Sequence, residues 1–446
     1  MRIQKLSIFA LFGIFDHEIP LNLRERITLV LGPNGFGKTT LLRLTNELFN
    51  GRFGELFIVP FRSAKIDFDS GQSLLIRKEP DGPDQTEQAL DLRLVKGTLE
   101  VEATKIRQLT PRDVDIPLGI IDDVVPWITR TAEARWTVDD TGEELSLAEV
   151  LRRYGHMLPG RGKKQQVDAW LTELIKSVKV RFIESQRLVK LERRPRRPES
   201  RFSHEAASPA VVFYSGKLAE EIKTRLTEYA QLSQALDQTF PMRLVDYLET
   251  ADERPVESSE SIQARLSELD DKRKRLREAG LLEKETVPFQ VPLSLHGPTQ
   301  QVLPLYVTDV EKKLKVFDQI LAKIELLKEI ANSRFLFKSL STTKDGFAFT
   351  TESGRPLSPV DLSSGEQHML ILLSELLFVV DRNSLILIDE PEISLHVAWQ
   401  QEFLRDLKAV TELADVDVLI ATHAPQIIND RWEFAVELQS PMERKA

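Results

Sequence analysis

The sequence predicts an α/β protein interrupted by a helical insertion. Residues 1–60 alternate apolar strands with a glycine-rich turn and an amphipathic helix, residues 215–335 lose strand character and become charged and helical, and strands with apolar helices return after 335. At about 150 residues per domain, a chain of 446 residues suggests about three structural units. The 41% of hydrophobic residues is ample for large cores without staples.

Taken in order, Ile3 to Phe9 and Arg26 to Leu31 read as strands. A helix follows over Thr39 to Phe49, with Leu41, Leu42, Leu44 and Leu48 on its apolar side. Asp69-Ser70-Gly71 and Lys96-Gly97 each separate two strand-like runs and predict hairpins. Residues 105–176 read as mixed and mostly helical, and Val178 to Glu184 as a buried strand. Arg193-Arg194-Pro195-Arg196-Arg197-Pro198 cannot be a regular helix or a central strand and reads as a linker or exposed arm. Beyond it, Val310, Leu314, Phe317, Leu321, Ile324 and Ala331 form a heptad-like stripe that Lys328 interrupts. A helix over 215–238 would be about 36 Å long at 1.5 Å per residue. An antiparallel helical hairpin over roughly 215–335 is the expectation. Strand signals at Ser333–Ser341 and Phe347–Thr351 flank the turn Lys344-Asp345-Gly346. An apolar helix over Gly365 to Val380, a strand over Leu385 to Ile388, a helix over Val397 to Leu413 and a strand over Val416 to Ala421 complete the chain.

Cysteine is absent, which excludes a disulfide scaffold, a thiolate zinc site and a cysteine nucleophile. The longest apolar run, Met369 to Val380, contains Glu375 and is shorter than the ~20 residues a bilayer span needs. The first residues lack the apolar core of a signal peptide. A cytoplasmic protein without membrane contact is the expectation. The net charge of -9 argues against a globally basic nucleic-acid binder. Locally, residues 186–201 hold seven Arg or Lys and two Glu. That run could contact DNA phosphates or be a solvated linker, and it lacks aromatic residues for stacking bases.

Four motifs carry chemistry. Gly32-Pro33-Asn34-Gly35-Phe36-Gly37-Lys38-Thr39 fits G-x-x-x-x-G-K-[ST] in full and lies between a strand and a helix. Its glycines let backbone N–H groups curl around a phosphate chain, and the helix N-terminus adds positive potential. Lys38 would reach the β- and γ-phosphates, the Thr39 hydroxyl would ligate Mg²⁺, and Thr40 continues the cradle. Leu385 to Ile388 leads into Asp389-Glu390, two carboxylates at a strand end, where ligands of parallel sheets sit. Asp389 could hold Mg²⁺ through water, and Glu390 could accept a proton from attacking water. Ser363-Ser364-Gly365-Glu366 opens a helix, and His423 ends the strand after the acidic one. Alone, Ser-Ser-Gly is usually a helix cap and a strand-end histidine is usually structural. The order of all four changes those odds.

That order resembles the ABC-type ATPases, over residues 1–60 and 335–435, and in particular the AAA_21/AAA_15, RecF/OLD/SMC-like branch. The resemblance implies a two-lobed ABC ATPase head, a mixed sheet around a P-loop, with a coiled-coil-like helical insertion. Lobe I would span 1–191, the basic linker and insertion 192–334, and lobe II 335–446. It implies ATP and Mg²⁺ as ligands, and a homodimer or higher homo-oligomer that sandwiches ATP. Ser363, Ser364, Gly365 and Glu366 would face the γ-phosphate held by the partner's phosphate loop. Glu390 would be the general base, His423 the switch residue, and Gln186 the glutamine near Mg²⁺ and the attacking water. The segment Pro391 to His396 would cross the dimer interface.

The Ser-Ser-Gly-Glu form departs from the transporter signature. It looks like the branch of recombination and defence ATPases, and the organisation resembles the ATPase subunits of PARIS-type, Septu or retron-associated anti-phage systems. Such a subunit would hold a separate nuclease effector until a phage-encoded trigger releases it. An SMC-like ATPase acting directly on DNA is the alternative. A transporter energiser is disfavoured by the late Gln186 and the insertion.

Overall fold

The computed structural model describes residues 1–79, 89–107, 118–125, 128–132, 134–138, 144–154, 167–183, 189–191, 207–250, 257–283 and 298–438. Strands β1 (Ile3–Leu11), β2 (Phe15–Pro20) and β3 (Ile27–Leu31) lead into helices α1 (Lys38–Phe49) and α2 (Gly54–Ile58). Next come β4 (Ser63–Phe68), β5 (Gln72–Lys78), β6 (Ala89–Lys96), β7 (Leu99–Arg107), α3 (Leu118–Val124), β8 (Ile128–Ala132), β9 (Arg135–Val138) and β10 (Glu144–Ser146). Helices α4 (Leu147–Tyr154) and α5 (Ala169–Ser177) precede β11 (Val180–Ile183), β12 (Val189–Leu191) and β13 (Ala207–Pro209). Helices α6 (Ala210–Glu249), α7 (Ser259–Glu278), α8 (Pro298–Lys315) and α9 (Asp318–Arg334) form the insertion. The rest is β14 (Lys338–Thr343), β15 (Gly346–Thr351), β16 (Pro356–Leu357), α10 (Ser364–Ser374), β17 (Leu385–Asp389), α11 (Val397–Ala414), β18 (Asp417–Thr422), α12 (Pro425–Ile428) and β19 (Ala435–Glu437).

Two compact units result. The first joins Met1–Ser185 to Asp381–Ala446, and the second is Gln186–Val380. These are drawn differently from the segments expected of the motif order. The cause is strand pairing: β17 lies between β11 and β18, and β18 between β17 and β3, all in parallel. The acidic strand and the histidine strand therefore fold with the phosphate loop.

In the first unit the parallel sheet runs β11-β17-β18-β3-β19, and an antiparallel sheet runs β2-β1-β4-β5-β6-β7. The strands β17 and β18 are buried at every position, as a parallel sheet covered on both faces requires. Leu42 and Leu48 of α1 share one core with Leu6 and Ile66 of the antiparallel sheet and Leu387 and Leu419 of the parallel one. Each such leucine contributes about 1.5–3 kcal/mol on burial. Both expected hairpins are present, β4–β5 and β6–β7. Among the described residues of 105–176 helix outweighs strand, through α3, α4 and α5, so the mixed, mostly helical reading holds there. Strands β8, β9 and β10 form a small antiparallel sheet around fully buried Trp136, whose indole N–H donates to Asp122. Such strands of three to five residues are too short to show a period.

The helices of the second unit fill the span expected of the insertion, from Ala210 to Arg334, but divide it differently. Helix α6 has 40 residues, not the span 215–238, and is about 60 Å long at 1.5 Å per residue. It runs through Pro241, where sequence argues for a stop. In place of a two-helix hairpin, the described residues hold four helices. The expected stripe is buried throughout, yet it divides at Phe317 between α8 and α9. Lys328, the interruption, donates to the Glu278 carbonyl at the end of α7. Arg243 of α6 grips buried Asp309 of α8 with both terminal nitrogens, and Arg265 of α7 grips Glu311. Strand β15 begins at Gly346, whose φ is 108°; a Cβ there would lie 2.5 Å from the Ser215 carbonyl oxygen of α6. The strand expected at Ser333–Ser341 starts only at Lys338, because α9 continues to Arg334. The apolar helix expected over 365–380 is present, α-helical over Ser364–Ser374 and continued by a π-helical turn, Glu375–Val379.

Among the described residues, no helix is long and apolar enough to cross a membrane.

Candidate functional site

The phosphate loop connects β3 to α1, as its motif requires. Gly37 adopts φ 80°, and a Cβ there would lie 2.5 Å from a Leu11 methyl group. The left-handed φ favours glycine there, and any side chain would also have to move the Leu11 methyl. Pro33, Asn34 and Gly35 are exposed, while Gly32, Phe36, Thr39 and Thr40 are half-buried. Lys38 is buried, and its ammonium donates to the carbonyls of Gly32 at 2.6 Å and Pro33 at 3.1 Å. Burial pulls its pKa down, against the attraction of Glu390, Asp389 and Glu392. Two residues that sequence reasoning passed over brace the loop. His17 Nε2 lies 2.8 Å from the Phe36 carbonyl, and the Phe15 ring lies 5.1 Å from that of Phe36.

The carboxyl ends of β3, β17 and β18 bring the remaining groups together. The Thr39 hydroxyl donates to Asp389 Oδ1 at 2.9 Å. Burial pushes the Asp389 carboxyl above its ordinary range; the Thr39 hydrogen bond opposes this and nearby Glu390 adds to it. Glu390 has left-handed backbone angles, φ 43° and ψ 58°, which cost a non-glycine residue about 1–3 kcal/mol. Its N–H is held by the Ala421 carbonyl at 2.8 Å. His423 Nδ1 lies 3.5 Å from Glu390 Oε1 and 3.2 Å from Glu392 Oε1. Glu392 is a further residue the motif argument did not use, although it stands in the same Asp-Glu-Pro-Glu run.

A hydroxyl and a carboxylate oxygen beside a phosphate loop are hard donors of the kind Mg²⁺ takes. Thr39 and Asp389 therefore fit that ion. No cluster of three or more His, Asp or Glu suited to a metal occurs among the described residues. An ion here would rely on phosphate oxygens and water for its other ligands.

The signature residues lie in the second unit. Ser363 caps α10, and Glu366 closes a capping box by accepting from the Ser363 N–H and hydroxyl, both at 2.8 Å. Lys338 of β14 grips both oxygens of Glu366, at 2.8 and 2.7 Å. Burial raises the Glu366 pKa, but the bonds from Lys338 and Ser363 outweigh it and leave it lowered. Ser363 and Ser364 stay exposed at the helix N-terminus and Gly365 is half-buried. Lys338 was not anticipated; it stands 28 residues from Glu366 in a strand with no motif of its own. Gln186 and the basic run at 193–198 lie outside the described residues.

A strand–phosphate loop–helix unit, with an acidic and a histidine strand end on the same parallel sheet, defines a P-loop ATPase of the ABC and SMC-like class. The chain belongs to the AAA_21 family, described as "AAA domain, putative AbiEii toxin, Type IV TA system", whose model matches residues 192–429. The matched span includes the signature, the acidic strand and the histidine strand, and the phosphate loop precedes it. Protein ea59 of Escherichia phage lambda is 36% identical over 69 residues, 16% of this chain and 13% of that protein. Solved structures include the Smc head domain of Pyrococcus furiosus with an extended coiled coil, bound to the C-terminal domain of ScpA. It is 13% identical, with 99% of this chain and 94% of that one covered, at a TM-score of 0.33. The SMC head domain of Thermotoga maritima is 12% identical, with 98% and 92% covered, at a TM-score of 0.31.

Proposed function

We propose that the chain binds ATP with Mg²⁺ and hydrolyses it slowly. The observation that carries this is the hydrogen bond between Thr39 of the phosphate loop and Asp389 of the acidic strand, with Glu390 and His423 beside it. Lys38 and the loop N–H groups bind the phosphates. Mg²⁺, when bound, is held by Thr39 and Asp389 and offsets phosphate charge. Glu390 takes the proton of the attacking water, and His423 contacts the γ-phosphate. Gln186 helps to orient that water. Ser363, Ser364 and Gly365 offer an exposed helix N-terminus to the γ-phosphate on a second copy, which makes the active form a homo-oligomer.

We further propose a role as the sensor and scaffold subunit of an anti-phage defence system, holding a separate nuclease effector that a phage protein releases. The toxin–antitoxin wording of the family description supports this direction. The four-helix insertion offers a charged surface for a protein partner. Affinity purification of the tagged chain with MgATP, followed by mass spectrometry and a DNA-binding assay, tests it. A co-purifying nuclease is the expected result. Salt-dependent, sequence-blind DNA affinity through 186–201, with no nuclease, would favour direct action on DNA.

A further inference from the structure

The turn after β17 hides a carboxylate behind the histidine. Glu392 is 6% exposed, an unusual position for a glutamate. Its Oε1 gathers three groups from the end of β18. It accepts from the Thr422 hydroxyl at 2.6 Å and from the His423 backbone N–H at 3.0 Å, and it lies 3.2 Å from Nδ1 of the His423 ring. Its Oε2 is buried with no hydrogen-bond partner among the described residues. A buried carboxylate with one oxygen unsatisfied is costly, so packing alone does not account for it.

The two carboxylates on this edge of the imidazole differ in exposure. The Glu390 side chain is 25% exposed and only 3.5 Å from Nδ1, while the Glu392 side chain is 5% exposed and tied to two further donors.

We infer that Glu392 is the positioning residue of His423. It anchors the backbone of the histidine through the N–H and places a carboxylate oxygen 3.2 Å from Nδ1 of the ring. A carboxylate at Nδ1 selects the tautomer with the proton there and turns the opposite nitrogen, Nε2, toward the ligand. The strained backbone of Glu390 serves the same end, because it reverses the chain so that Glu392 comes back under β18. This inference rests on the ATPase reading of the site.

The test uses the full chain. Binding of a fluorescent ATP analogue and steady-state ATP hydrolysis are measured for the unmodified chain, Glu392→Gln, His423→Ala and the double variant. Glutamine keeps an oxygen for Thr422 and for the His423 N–H but loses the charge facing the ring. Glu392→Gln is expected to lower kcat at least about tenfold, below the ~10²–10⁴-fold of losing a general base, with analogue affinity and KM unchanged. The double variant is expected to be no slower than His423→Ala, because both act through one ring. A Glu392→Gln kcat equal to that of the unmodified chain, or losses that multiply in the double variant, would each overturn the inference. A nitrogen-15 spectrum of the histidine rings, with His423 assigned by its alanine variant, decides the pairing without relying on turnover. A proton on Nδ1 supports the pairing, and a neutral ring protonated only at Nε2 refutes it. If the unmodified chain hydrolyses no ATP, the ATPase reading falls, and the ring spectrum still decides the pairing.

Discussion

Thr39 and Asp389 are 350 residues apart in sequence and 2.9 Å apart in space. Their hydrogen bond makes the phosphate loop and the acidic strand end one site. It rests on two parallel pairings, β3 with β18 and β18 with β17, and not on either motif alone.

Lys38→Ala should weaken ATP binding strongly. The buried ammonium is the main point charge of the loop, and a hydrogen bond to a charged group contributes about 1.5–3 kcal/mol, roughly ten- to hundredfold in affinity. Titration calorimetry with MgATP checks this, and unchanged affinity would remove Lys38 from the site.

Glu390→Gln should leave ATP binding intact while hydrolysis falls by about 10²–10⁴-fold, because an amide cannot take the proton of water. A phosphate-release assay beside the binding titration separates the two effects. Hydrolysis at the unmodified rate would mean that another group is the base.

The signature cap should depend on pH. The folded-state pKa of Glu366 is lowered, so its contribution to stability is present above the ordinary glutamate range and lost as pH falls through the folded value. Lys338→Met, which leaves that buried carboxylate without its cation, should cost about 1–3 kcal/mol near pH 7. The difference from the unmodified chain should shrink in acid. Urea melts between pH 7 and pH 3 measure both, and a pH-independent difference would exclude the ion pair as the cause.

Mixing Lys38→Ala and Ser363→Arg chains should restore hydrolysis that neither shows alone, because one complete ATP site can form between a sound loop and a sound signature. Native mass spectrometry with MgATP should show dimers or larger assemblies. Monomers at every ATP concentration would rule the shared site out.

The parts of the site legible in sequence are those set by local geometry. Position 37 favours glycine for its own φ and for the nearby Leu11 methyl, and Lys38 follows in register. The run Leu385 to Asp389 is apolar throughout because both faces of β17 are covered. What was missed depends on distant packing. Glu392 looks like one more acidic residue until the turn at Glu390 folds it under Thr422. Strand β2 was not anticipated because Asp16, His17 and Glu18 dilute its alternation, yet His17 is buried against the loop. The length of α6 was underestimated because its outer half carries no continuous apolar stripe and contains Pro241. The π-helical turn at Glu375 has no sequence signal at all; its carboxylate is bonded by Tyr214, which only the fold brings near.

The order of the parallel sheet has a consequence for biosynthesis. The phosphate-loop strand, residues 27–31, leaves the ribosome early, but its neighbours are residues 417–422 and 435–437. At roughly 5–20 residues per second the wait between them is about 20–80 s. Throughout that interval a nascent chain displays an intact nucleotide motif on an unpaired apolar strand. A product that stops short of Asp417 would carry the motif without its sheet and so present an aggregation-prone edge instead of a nucleotide site.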